Sequence, residues 1–155
     1  MNANLKRAVI PPFFVGGISS PCLNCSLLPR SAQRLDHHMA AFVRGFHDLY
    51  YEEASWPAID AADFVERLYR ILKSGGILGV VNHAAGSGVS LDVANTLHRI
   101  DPGIIRSDLI SAGFEFVAES DFLRNQGDDR NSSMRDPSVR GETDTVAMKF
   151  RKPAS

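Results

Sequence analysis

The segment Asp60-Ala-Ala-Asp-Phe-Val-Glu-Arg-Leu-Tyr-Arg-Ile-Leu-Lys-Ser-Gly-Gly-Ile-Leu-Gly-Val-Val81 contains a helix and the strand it feeds. Asp60 is a good N-cap, and Asp63 stands three residues on, in capping-box position. Phe64, Leu68 and Leu72 recur at i, i+4 and i+8, and Val65, Tyr69 and Ile71 widen them into one apolar stripe. Glu66, Arg67, Arg70 and Lys73 take the other side. Basic residues in the last turn and Gly75-Gly76 after it predict the stop. Ile77-Leu-Gly-Val-Val81 is continuously apolar, the pattern of a strand covered on both faces of a parallel sheet.

Working outward, Met39-Ala-Ala-Phe-Val43 is a short apolar run ended by Arg44-Gly45 and reads as the first strand, with Phe46 to Tyr51 as its extension or exit loop. A small, Gly-rich stretch from Ala84 to Ser90 follows the second strand. Leu91 to Leu97 and Pro102 to Ala112 read as helices, the second with Pro102 near N1 and Gly113 as its stop. Phe114 to Ser120 and Thr143 to Arg151 read as strands, the last with Val146, Met148 and Phe150 alternating. Between them Asp121 to Glu142 is a long polar loop, of a length usually functional or disordered. The order β-α-β-α-α-β-loop-β predicts an α/β sheet of about four strands closed by an antiparallel pair.

At 155 residues, 44% hydrophobic and 23% charged, the chain has the profile of one globular domain that needs no disulfide or metal staple. A net charge of -1 lacks the excess of Lys and Arg that a general nucleic-acid binder uses to displace phosphate counterions, so no nucleic-acid partner is expected. The most apolar run, Ala8 to Ile18, is broken by Pro11 and Pro12 and is too short to span a bilayer; no membrane partner is expected either.

Residues 1–35 carry Lys6, Arg7, Arg30 and Arg34 and no acid, whereas all 18 Asp and Glu residues lie from Asp36 onward. Proline, glycine and serine clusters there suit turns and show no sustained period. Residues 1–35 are read as a disordered or non-homologous leader, and 36–155 as the α/β domain. Lys6-Arg7 before Ala8-Val9-Ile10 leaves a signal or transit peptide open as an alternative; a cytoplasmic location is the expectation. Cys22 and Cys25 form C-x-x-C but lack two further zinc ligands at workable spacing, since His37 and His38 are adjacent. No metal site is expected.

Gly86-Ser87-Gly88 could present N–H groups to a phosphate, but Leu91 stands where the dinucleotide fingerprint needs its third glycine, and a flexible connection is the favoured reading. H-E-x-x-H, G-x-S-x-G and Walker A motifs do not occur in the sequence. What remains is positional. His47-Asp48 and Asn82-His83 lie beyond the carboxyl ends of the first two strands, where open α/β sheets bind ligands. Histidine suits proton transfer near neutral pH, so His47 and His83 are a candidate acid/base pair. Asp101 before Pro102 is an N-cap, while His98 and Arg99 suit either an anionic ligand or the polar loop around Asp128.

Phe46-His-Asp-Leu-Tyr50, Leu72-Lys-Ser-Gly-Gly-Ile77, Val81-Asn-His-Ala-Ala85, Thr96-Leu-His-Arg-Ile-Asp-Pro102, Ala112-Gly-Phe114, Ala118-Glu-Ser-Asp-Phe-Leu-Arg-Asn125 and Arg140-Gly-Glu-Thr-Asp144 together resemble the carboxyl-terminal half of a predicted class I S-adenosylmethionine-dependent methyltransferase. The resemblance covers about Phe42 to Pro153. It implies a partial Rossmann-like methyltransferase sheet whose last strand runs antiparallel and forms a hairpin with the preceding one. The first three strands of the family fold, with the glycine-rich turn and acidic residue that hold the methyl donor, have no counterpart in the sequence, which reads as truncated.

By the resemblance, Phe46, His47 and Asp48 map to the end of the fourth strand, which flanks the S-adenosylmethionine and acceptor pocket, and Asn82 and His83 map after the fifth, on the acceptor side; His98 and Arg99, from their own chemistry, are candidates for binding substrate. Methyl transfer is an in-line displacement, so the protein has to align donor and nucleophile and, where required, accept a proton. The expected partner is a small-molecule methyl acceptor. The alternative is a non-catalytic remnant that pairs through its exposed sheet edge, as a homodimer or with a partner chain supplying the missing strands. A small-molecule binder or hydrolase using His47, Asp48 and His83 is a third reading.

Overall fold

The computed structural model describes residues 37–154. The expected leader, the signal-peptide alternative and Cys22 and Cys25 lie outside them. Seven regular elements follow in order: β1 (His37–Val43), α1 (Ala61–Ile71), β2 (Leu72–His83), α2 (Val93–Leu97), α3 (Pro102–Ser111), β3 (Glu115–Ser120) and β4 (Thr145–Arg151), with a 3-10 helix at Phe46–Tyr50 between β1 and α1. They form one four-stranded sheet in the order β1-β2-β4-β3. β1 and β2 are parallel, and β4 lies antiparallel between β2 and β3. The sheet has the expected arrangement: α/β, four strands, the last antiparallel and hairpinned with the one before.

Capping explains where the helices begin. Asp60 accepts from the Asp63 N–H at 3.0 Å, and Asp101 accepts from the Gly103 N–H at 2.7 Å with Pro102 at the first helical position. After α3, Gly113 at φ 99° lets its own N–H reach Ile110 O and the Phe114 N–H reach Leu109 O, the paired bonds of a glycine C-cap.

Three expectations need correction. The helix of Asp60 to Lys73 does not run to Gly75-Gly76; it ends at Ile71, and β2 starts at Leu72 rather than Ile77. The cause is Lys152, whose ammonium donates to Tyr69 O at 2.9 Å and Leu72 O at 2.7 Å, taking up carbonyls that another helical turn would use. Gly76 is needed there, because a Cβ would lie 2.8 Å from Lys73 O. Phe46 to Tyr50 is a 3-10 helix rather than strand or loop, entered through Arg44 at φ 56°. β2 is not covered equally on both faces: Leu78, Val80 and Asn82 are buried, whereas Ile77, Gly79 and Val81 are half-buried.

That asymmetry follows from where the helices pack. Val65 of α1 and Ile105 and Leu109 of α3 join Phe42, Leu78, Val80, Val146, Met148 and Phe150 in the core. On the opposite face of β1, Met39 is 71% and Val43 58% exposed, next to Ile77 and Val81 in register. No helix among the described residues is long and apolar enough to cross a membrane.

Candidate functional site

The carboxyl ends of β1 and β2 bring His47, Asp48, Asn82, His83 and, from the turn after α2, His98 together. Asn82 organises them. It is fully buried, and its Oδ1 accepts the Phe46 N–H at 3.0 Å and lies 3.3 Å from His47 Nδ1, while its Nδ2 donates to His83 O at 3.1 Å. One side chain at the end of β2 thus fixes both the 3-10 helix and the His47 ring. His47 Nε2 points the other way, 3.2 Å from Asp48 Oδ1.

His98 closes the cluster. It holds a left-handed conformation, φ 52° and ψ 46°, and its ring centroid lies 5.6 Å from that of His47 and 5.1 Å from that of Tyr51. Left-handed backbone is uncommon for a residue other than glycine, although Asn, Asp and His tolerate it better than most. His83 is 3% exposed; its Nδ1 is 2.8 Å from Thr143 Oγ1, its Nε2 has no hydrogen-bond partner among the described residues, and its ring lies 6.5 Å from that of His47.

All three histidines are shifted toward the neutral form. Burial is the main cause for His47; Arg135 adds to it, and Asp48 and the Asn82 contact oppose it. Burial also leads for His98, joined by Arg135 and His47 against Asp48 and Glu53. His83 is lowered to about 4 by burial, then by the positive fields of Arg44, His47 and Arg99, with Asp128 opposing. Neutral imidazoles can accept a proton or offer a lone pair to a metal.

Two expected ligand contacts take structural roles instead. Phe46 is fully buried in the core, so only its N–H reaches the site. Arg99 is also fully buried, and its guanidinium meets Asp128 at 2.6 and 3.1 Å, Ala84 O at 3.0 Å and Ser132 O at 2.8 Å. Of its two expected roles, the geometry gives it the contact with the polar loop around Asp128. The Gly86-Ser87-Gly88 turn likewise uses its Gly88 N–H on Asp101 Oδ2 at 2.7 Å.

The sequence reading missed Asp144, Arg135 and Tyr51. Asp144 is fully buried and takes Arg124 at 2.8 and 2.9 Å and Arg130 at 2.9 Å, tying the Asp121 to Glu142 segment to the start of β4. Arg135 acts on His47 and His98 from 88 and 37 positions away in sequence, separations with no local pattern to reveal them. A cleft of about 810 Å³ opens elsewhere, lined by Tyr50, Asp60, Val65, Asp92, Asn95 and Asp108 among others, and includes none of the site histidines.

Comparison of the whole chain places this architecture. The [4+2]-cyclase SpnF superposes with a TM-score of 0.52 and 17% identity, covering 79% of this chain and 52% of the other. A Haloferax volcanii methyltransferase described as putative, in complex with the Trm112 methyltransferase activator, gives 0.49 and 16%, covering 77% and 55%. A Bacillus halodurans methyltransferase, also described as putative, gives 0.47 and 19%, covering 76% and 70%. The chain spans about half the length of the first two, and the likeness is one of fold. No protein-family model and no curated protein matches it.

The turn after β1 is Arg44-Gly45, and a Cβ on Gly45 would lie 3.1 Å from the Phe42 ring, so that glycine serves packing rather than approach of a ligand to backbone.

Proposed function

We propose that this chain is an S-adenosylmethionine-dependent methyltransferase-like protein that contributes the acceptor side of the site and acts on a small molecule. The observation that carries this reading is the convergence of His47, Asp48, His83 and His98 at the carboxyl ends of the parallel strands β1 and β2, beside an antiparallel β4. Ligands of open α/β sheets bind in that crevice.

In this reading His47 or His83 takes the acceptor's proton. His83 Nε2 has no partner among the described residues, whereas His47 Nε2 already faces Asp48. Asp48 and His98 orient the acceptor, while Phe46, Asn82 and Arg99 position them. S-adenosylmethionine supplies the methyl group, and the residues holding it belong to a segment or chain beyond the described ones.

Calorimetric titration of the folded full chain with S-adenosylhomocysteine tests this. Micromolar binding is expected, from a donor site completed by residues 1–36 or by a second copy of the chain, and a folded protein that binds none of it overturns the methyltransferase reading of this chain. The second reading is a non-catalytic module that pairs with another copy of itself. Exposed Met39, Ala41 and Val43 on the open face of β1 favour it.

A further inference from the structure

We propose that His47, Asp48 and His98 form a binding site for a first-row divalent transition-metal ion, independently of any methyl transfer. Each residue offers one ligand atom, and the three atoms lie within 4.8 Å of one another. His47 Nε2 and Asp48 Oδ1, at 3.2 Å, already have the spacing of neighbouring ligands, about 3.3 Å for a tetrahedral ion with bonds of about 2.0–2.1 Å. Two imidazoles and one carboxylate suit Zn²⁺, Co²⁺ or Fe²⁺ rather than Ca²⁺ or Mg²⁺ and leave coordination positions open.

The contacts around His47 leave a place for a cation on its Nε2. Asn82 Oδ1 must be the acceptor, because the Phe46 N–H donates to it. His47 Nδ1 therefore carries the ring's proton if its 3.3 Å contact with Asn82 Oδ1 is a hydrogen bond. The Nε2 lone pair of that tautomer then faces the Asp48 carboxylate, which only accepts. Moving the proton to Nε2 merely transfers the mismatch to Asn82. One ring proton cannot serve both sides of the ring, and a cation held by Nε2 and Asp48 Oδ1, 3.2 Å apart, removes the mismatch.

A metal ion on Nε2 meets that need and leaves the Nδ1–H on an amide oxygen, the usual arrangement behind a metal-bound histidine. A second ring proton is the rival, but it gives no role to His98, held 93% buried in a left-handed backbone beside the same atoms. With a metal on His47, His83 is left as the base of the proposed transfer.

The test uses the full chain carrying Cys22→Ser and Cys25→Ser, so that thiols cannot account for binding. The protein is stripped with chelator, titrated with Co²⁺ by visible absorption, and titrated with Zn²⁺ in competition with a chromophoric chelator. One equivalent per chain is expected, with affinity at least about tenfold weaker in His98→Asn and in Asp48→Asn. Asn tolerates the backbone of residue 98, and circular dichroism checks each fold. His38→Asn, on the exposed part of β1, should bind as the parent does, and Arg135→Gln should bind several-fold tighter by removing a nearby positive charge. Absence of stoichiometric binding overturns the proposal, as does binding unchanged in both the His98 and Asp48 variants. Neither result depends on the outcome with S-adenosylhomocysteine.

Discussion

Arg99 and Asp128 form a fork-on-fork ion pair with side chains 0% and 1% exposed, Nη1 to Oδ2 at 2.6 Å and Nη2 to Oδ1 at 3.1 Å. It joins the α2–α3 junction to the long segment before β4. Asp128 Oδ2 also accepts the Asp144 N–H at 2.6 Å, and Oδ1 accepts the Arg130 N–H at 3.1 Å. Burial alone would raise the Asp128 carboxyl, but the Arg99 contact and these two N–H donors outweigh it and hold it below its ordinary value.

Breaking such a pair leaves a buried charge unpaired. Arg99→Met is therefore expected to cost about 3–5 kcal/mol, read from chemical denaturation, and to open residues 121–142 to limited proteolysis. Arg99→Lys keeps the charge but loses the planar fork and should fall between the variant and the parent. A denaturation midpoint for Arg99→Met equal to the parent's would show that the pair contributes nothing net.

His83 gives the fold a pH dependence on the acid side of neutrality. Its folded value is lowered from 6.5 to about 4, under the combined influence of burial, Arg44, His47 and Arg99 against Asp128. Between those two values the unfolded chain binds a proton that the folded chain does not. Stability is therefore full above 6.5 and falls as the pH drops toward 4, by at most about 1.4 kcal/mol per pH unit from this one group. His47 and His98 are shifted in the same direction and add to it. Urea unfolding at pH 7, 6 and 5 in the presence of a chelator should show the decline, with a shallower slope in His83→Asn. A flat profile in the parent would mean that His83 titrates normally.

The α1–β2 segment was legible because its signals are local: a cap at Asp60, a 3.6-residue stripe, then a continuous apolar run. The antiparallel ending was legible too, since a strand pair with no helix between it has few arrangements. The helix end was not. Lys152 sets it from 80 positions beyond Leu72, whereas Gly75-Gly76 looked like a local stop. The segment 121–142 read as a long polar loop, with Arg99 as one candidate contact for Asp128; only tertiary structure shows that Arg99 and Asp144, the partners of Asp128 and Arg130, are fully buried. For the site, strand ends predicted where His47 and His83 fall, but no pattern in the sequence turns His98 toward them.

Asp101 does more than cap α3. Its Oδ1 takes the Gly103 N–H at 2.7 Å and its Oδ2 the Gly88 N–H at 2.7 Å, so it also anchors the Gly86-Ser87-Gly88 turn. Asp101→Ala should cost about 1–2 kcal/mol, toward the upper end because two donors lose their partner, and should raise amide hydrogen exchange at Gly88. Asp101→Asn, which keeps one oxygen acceptor, should retain the cap and release the Gly88 amide in part. Equal exchange at Gly88 in all three proteins would remove the link.

The open face of β1 makes a claim about association. Among the described strands β1 pairs with β2 alone, and Met39, Ala41 and Val43 project away from the face that α1 and α3 cover, while Phe42 between them is buried in the core. Met39 at 71% and Val43 at 58% exposure flank Ile77 and Val81, which are only half-buried, so the apolar surface continues from one strand to the next. An unpaired edge strand with an exposed apolar face of this kind favours pairing with another chain. The full chain at tens of micromolar should sediment above its 17.0 kDa protomer mass. Met39→Lys with Val43→Lys places charge on that face without touching Phe42, and should return the mass to the protomer's while leaving the thermal midpoint nearly unchanged. A parent that stays monomeric at 100 μM, a concentration chosen well above that of most self-associating edges, would remove self-pairing as a reading of this fold.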